Sequence, residues 1–148
     1  MGQRENRMML LRLSDTPLTL ADPAEDVRGR SVIDKDGETI GEVNELIVDG
    51  REGHARFLEV SSGDLLGLGR LRSLIPVGAI TRLSGEAVHV NQTRQRIGEA
   101  PAYDPDLVDE RERDESYYGR IYRHYGLPPH WERGYAYPRY PRDHDPHA

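Results

Sequence analysis

With no cysteine in its 148 residues, the chain has six histidines and 26 acidic residues as its main resources for chemistry. The lack of thiols excludes disulfides, thiolate metal sites and a cysteine nucleophile, and it fits a reducing compartment. His144-Asp145-Pro146-His147 offers two imidazoles and a carboxylate, the donors of a loose transition-metal site, but its spacing does not supply three or four converging ligands. His54, His89, His124 and His130 are scattered singly. Asp34-Lys35-Asp36-Gly37-Glu38 begins like a calcium loop, yet its glycine stands fourth where such a loop needs it sixth. A hairpin turn is the better reading. Carboxylate pairs such as Glu42 with Glu45, or Asp109 with Glu110, have the residue type for acid-base work, but no nucleophile or substrate loop accompanies them, so they read as surface charges. Gly63, Gly67 and Gly69 lie in a loop followed by Arg70 and a strand, not by the helix that phosphate binding requires. No catalytic residue, cofactor or metal is therefore assigned, and the chain reads as non-enzymatic.

The elements that would position these residues are mostly short strands. From Asp26 onward, β-branched runs alternate with glycine and aspartate turns, as in a small antiparallel sheet or barrel. Strands are expected at Ser31–Ile33, Thr39–Asp49, Ala55–Val60, Ser73–Val77, Ile80–Leu83 and Ala87–Val90. Gly41 breaks the apolar alternation of the second strand, where a bulge can sit, and Pro76 must lie near a strand end. Residues 1 to 25 read as an arm. Leu18 and Leu20 are spaced as one face of a strand, and such an arm can add itself to a sheet edge in docking or dimerisation.

After Gly98 the period lengthens. Asp104 is a candidate N-cap with Pro105 at the first helical position. Tyr118, Ile121, Tyr122 and Tyr125 then fall at i, i+3, i+4 and i+7, one face of a helix ending near Gly126. Beyond Leu127, tyrosine, proline, arginine and histidine recur without period, and the segment reads as a disordered tail. The domains expected are thus an arm over 1–25, a β domain over 26–97, an acidic and tyrosine-rich helical extension over 98–126, and a tail over 127–148.

Charge narrows the partners. The net charge of -6 is concentrated after residue 98, where 11 acids face seven arginines. That distribution lacks the basic stripe of a nucleic-acid binder. The early apolar run from Met8 to Leu11 is far shorter than the ~20 residues of a membrane span. A cytoplasmic protein without a membrane span is expected.

Asp36-Gly37-Glu38-Thr39-Ile40-Gly41-Glu42-Val43-Asn44-Glu45-Leu46-Ile47-Val48-Asp49, then Arg56-Phe57-Leu58-Glu59-Val60, then Leu74-Ile75-Pro76-Val77, together resemble the PRC-barrel family in order and spacing. The acids from Asp109 to Glu115 before Tyr117-Tyr118-Gly119 extend the resemblance towards the reaction-centre H subunit. The resemblance implies a mainly β fold: a small antiparallel barrel of about six strands with a C-terminal helical extension and flexible termini. It also implies protein contact instead of catalysis: an interaction or assembly module that forms a homodimer and meets a further protein partner. An alternative within the same family is a ribosome- or RNA-processing factor similar to the maturation-factor barrel. Candidate interface residues are Leu65, Leu66 and Leu68 in the apolar loop, and Tyr118, Ile121, Tyr122 and Tyr125 on the helical face.

Overall fold

Asp34 sets the first hairpin. Its carboxylate accepts hydrogen bonds from the backbone of Asp36 and Glu38, both at 2.9 Å, while Gly37 takes the positive φ of 85° that a side chain would resist. This turn joins β2 (Ser31–Ile33) to the long β3 (Thr39–Asp49). Asp49 performs the same service at the next turn, accepting from Arg51 N at 2.7 Å, and leads into β4 (Ala55–Ser61). In the computed structural model, residues 10–17, 19–61, 72–101, 103 and 115–138 are described.

Before these come β1 (Leu10–Arg12) and two single 3-10 turns, Leu13–Asp15 and Pro23–Glu25. After them come β5 (Arg72–Pro76), a 3-10 turn over Val77–Ala79, β6 (Ile80–Leu83), β7 (Ala87–Val90), a short helix α1 (Arg94–Gly98) and the longer α2 (Glu115–Tyr125). The six strands expected between residues 31 and 90 are all present, with bounds shifted by no more than a residue. Short apolar or β-branched runs bounded by turn residues mark them, and this agreement of run and turn makes a short strand readable even where alternation fails, as it does at Gly41 and through β4.

The sheet differs from the expected antiparallel barrel in three respects. It has seven strands, because β1 pairs with β3 through Leu10↔Asp49 and Arg12↔Ile47. Its β2 and β7 run parallel, Ser31 beside Ala87. The ladder β5-β4-β3-β2-β7-β6 does not close on itself among the described residues. The pairings make β5 and β6 run in the same direction, so Val77–Ala79 is an offset between them and not a hairpin. Four peptide steps from Pro76 to Ile80 reach at most about 14 Å. The two ends of the ladder must therefore lie near one another, and the sheet is rolled up without a closing row of hydrogen bonds.

Inside the roll sit Val32, Ile40, Leu46, Leu58, Ile75, Leu83 and Val88, each at most 1% exposed. Six of the seven residues of β4 are buried, which requires cover on both faces. The second cover is α2. Its Tyr118 and Tyr122 rings lie 5.3 and 5.0 Å from Phe57, and Tyr117, Ile121 and Tyr125 are also buried. Gly126, at φ 69°, ends the helix at the expected place.

Two expectations about the ends of the chain are corrected. The described part of the arm is a packed element, with Leu13 and Glu25 buried and β1 at Leu10–Arg12, upstream of the leucines whose spacing suggested a strand. Leu20 is partly buried, and Leu18 lies outside the described residues. Residues 127–138 are not a free tail: Leu127, Trp131 and Tyr137 pack on the core and His130 is buried. The segment lacks a period because it is a strap held by separate anchors, and period was the signal sought. The helix expected from Asp104 falls outside the described residues.

Candidate functional site

The strap and α2 enclose a set of buried charged groups along β4. Arg56 is 3% exposed; its Nη2 donates to Asp49 Oδ2 at 3.2 Å and lies 3.4 Å from Glu52 Oε1. The strap supplies two rings around the guanidinium, Tyr135 at 5.8 Å and Tyr137 at 5.7 Å. A buried cation needs such pairing, since desolvation alone would cost several kcal/mol. Tyr122 and His130 hydrogen-bond at 2.9 Å between the hydroxyl and Nδ1. Burial pushes the Tyr122 phenol up and brings the His130 imidazole down to about 4, with the Arg56 charge adding to the fall at His130. His130 is thus neutral at pH 7.

A second tie joins three distant parts of the chain. Glu25, 5% exposed, accepts from Ala55 N at 2.8 Å and from the Tyr137 hydroxyl at 3.0 Å on Oε1. Its Oε2 accepts from His54 Nδ1 at 2.8 Å. The His54 ring stacks on Tyr137, centroids 4.6 Å apart, so the arm, the β3–β4 turn and the strap share one anchor.

Further along the same strands, Glu45 stands directly opposite Glu59. Like charges in cross-strand register repel, and each is stabilised by its own donors. Glu59, with no exposed surface, accepts from Asn44 Nδ2 at 2.6 Å and Arg12 Nη2 at 3.3 Å. Glu45 accepts from the Ser14 hydroxyl, from Leu46 N at 3.0 Å and from Ser14 N at 3.3 Å, and Arg28 Nη1 lies 3.7 Å away. The arm is therefore fastened to the sheet by its polar residues as well as by β1.

Between the two halves of the arm lies an open groove of about 330 Å³, lined by Leu13, Thr19, Leu20, Pro23, Asp26 and Arg28. Arg28 donates to Asp26 through Nε and Nη2, each at 2.8 Å. Those bonds hold the Asp26 carboxyl below the usual carboxylate range.

The structure brings Tyr118, Ile121, Tyr122 and Tyr125 together on one buried helix face turned to the chain's own core. Leu65, Leu66 and Leu68 lie outside the described residues, as do Asp109, Glu110, His144 and His147. Asp34 shapes a turn, as expected, and also accepts from Arg94 N at 3.0 Å, tying α1 to the first hairpin. Of the acids read as surface charges, Glu42 is exposed but Glu45 is buried. Among the described residues no group of three or more His, Asp or Glu is placed to hold a metal ion, and no helix is long and apolar enough to cross a membrane.

Sequence reasoning missed Arg56, Glu59 and Glu25. Arg56 and Glu59 were visible as charges inside the apolar run Ala55–Val60, which was itself the available signal. Glu25 carried none, because its partners lie at residues 54, 55 and 137.

The family model for the PRC-barrel domain matches residues 22–97, just over half of the chain. No curated protein matches the sequence. The matched stretch holds strands β2 to β7 and the roll that they form, and the chain belongs to the PRC-barrel domain family.

Proposed function

We propose that the protein is a non-enzymatic contact module of the cytoplasm that self-associates and assists assembly with a further protein. PRC-barrel domains are generally non-catalytic, and the buried charged groups described above are engaged in internal ties. The observation that carries the reading is the position of β1. This three-residue strand is hydrogen-bonded on its β3 side, and no strand borders its other side among the described residues. Its Leu10 and Leu11 are only partly buried. A short edge strand with half-exposed leucines is suited to strand addition by a second copy. In this reading the apolar run with Leu65, Leu66 and Leu68 supplies further contact surface, whereas the tyrosine face is already occupied within the chain. The likeness of the acidic segment and Tyr117-Tyr118-Gly119 to the reaction-centre H subunit favours a role in assembly over one in RNA processing.

Light scattering tests the proposal. The full chain is expected to run as a dimer at micromolar concentration, and Leu11→Lys as a monomer that keeps the folded circular dichroism spectrum. A monomeric mass for the full chain at all concentrations overturns self-association.

A further inference from the structure

The strap is held to the roll by side chains. It adds no strand to the sheet, and its backbone bonds are local, Glu132 N donating to Pro129 O at 3.1 Å and Tyr135 N to Glu132 O at 3.0 Å. Gly126, exposed and at φ 69°, stands just before it. Lifting residues 127–138 would therefore leave every ladder of the roll intact. One anchor is Tyr137, whose hydroxyl lies 3.0 Å from Glu25 Oε1 and 3.1 Å from Ala55 O. The other is His130, buried with its ring centroid 6.0 Å from that of Tyr122 and 5.1 Å from that of Trp131. Burial keeps the Tyr122 phenol protonated, so its hydroxyl donates to His130 Nδ1 and the ring carries its own hydrogen on Nε2, which has no acceptor. A second ring hydrogen would make Nδ1 a donor as well and turn the Tyr122 hydroxyl away. The surroundings offer that charge little. Arg56 on β4 opposes it, Asp49 favours it but is already paired with Arg56 at 3.2 Å, Tyr122 and Tyr135 are neutral, and Glu132 is exposed to solvent.

We propose that the strap is an acid-released cover: a proton taken up by His130 detaches residues 127–138 from the face of β4 while the roll stays folded, baring Arg56 and Glu25. The device is independent of self-association through β1. Its sign follows from where the proton is held more tightly. The open strap exposes an ordinary imidazole, whereas the closed strap brings it down to about 4, so opening is favoured as pH falls. With one proton taken up, the ratio of open to closed strap rises about tenfold per pH unit across that window, beginning below about pH 6.5.

Trp131 is the chain's single tryptophan and reports on the strap directly. As the full chain is taken from neutral pH to about 4, its emission is expected to move to longer wavelength and its quenching by acrylamide to rise. Over the same range the circular dichroism of the sheet and the amide shifts of Leu58 and Ile75 are expected to stay those of the folded chain. Emission intensity alone does not decide, because a charged imidazole beside the indole would quench it without any opening. The midpoint should match that of the His130 ring shift in the unaltered chain, and His130→Asn should lack the transition. The ring titration needs no variant, so the test stands even where the substitution loosens the strap at neutral pH. Loss of strap and sheet in one transition, the same transition in His130→Asn, a His130 ring that titrates with Trp131 still shielded, or an unchanged emission would each overturn the proposal.

Discussion

His130 shows what a single residue in this fold is asked to tolerate. It is nine-tenths buried, its Nδ1 is bonded to Tyr122, and its Nε2 has no hydrogen-bond partner. With its imidazole brought down to about 4 in the folded chain against an ordinary 6.5, the unfolded chain takes up the proton first as pH falls. Stability from this residue is therefore complete above pH 6.5 and is lost progressively towards pH 4. Between pH 7 and pH 5 the loss should be about 2 kcal/mol. Urea unfolding at the two pH values measures it: the drop should be about that much larger in the native chain than in His130→Asn, which keeps a polar partner for Tyr122 without the titration. Equal drops would show that the site accepts the charge. No sequence pattern announces this residue. A histidine among prolines and tyrosines has the composition of a solvated tail, and only the Phe57–Tyr122 packing beneath it explains its burial.

At the scale of elements, strands were legible and straps were not. Each strand from β2 to β7 carries its own evidence, since an apolar run and the turns that bound it lie close together in the chain. The face of α2 was legible for the same reason, its apolar positions recurring at helical spacing within eleven residues. The strap has no internal evidence, because its anchors answer to neighbours in other elements: His130 and Trp131 to Tyr122, and Tyr135 and Tyr137 to Arg56. The candidate site shares that property. Its ties connect residues 12 with 59, 14 with 45 and 25 with 54, separations over which no local signal extends. The strap's contribution can be measured directly. Ending the chain after Gly126 removes two rings around Arg56 and the Tyr137 bond to Glu25, and uncovers a buried cation and a buried carboxylate. The melting temperature should fall by about 10 °C or more, since 1 kcal/mol corresponds to roughly 3–5 °C in a chain of this size. An unchanged melting temperature would mean that the strap rests on the fold without supporting it.

For the whole molecule, the decisive feature is the roll of the sheet, with Ile75 at its centre and fully buried opposite Leu58. Ile75→Asp would place an unpaired carboxylate there, at a cost of more than about 4 kcal/mol, comparable to the entire stability of many domains of this size. Loss of the folded circular dichroism spectrum at neutral pH is expected, and a normally folded variant would contradict the placement of β5 in the roll. The parallel pairing of β2 with β7 could not be read from the strands themselves, because their sequences carry no record of direction. The tie from Glu25 to Tyr137 spans 112 residues, and this long closure has a consequence for synthesis. As the chain emerges from the ribosome, Glu25, His54 and β4 are available early, but the ring that covers them follows 82 residues after Ala55. Until then the arm must wait on an unfinished surface with a carboxylate exposed and Arg56 uncovered. This step of folding thus waits on the synthesis of Tyr137, and a chain stalled before it would display the acidic and cationic groups that the folded protein hides.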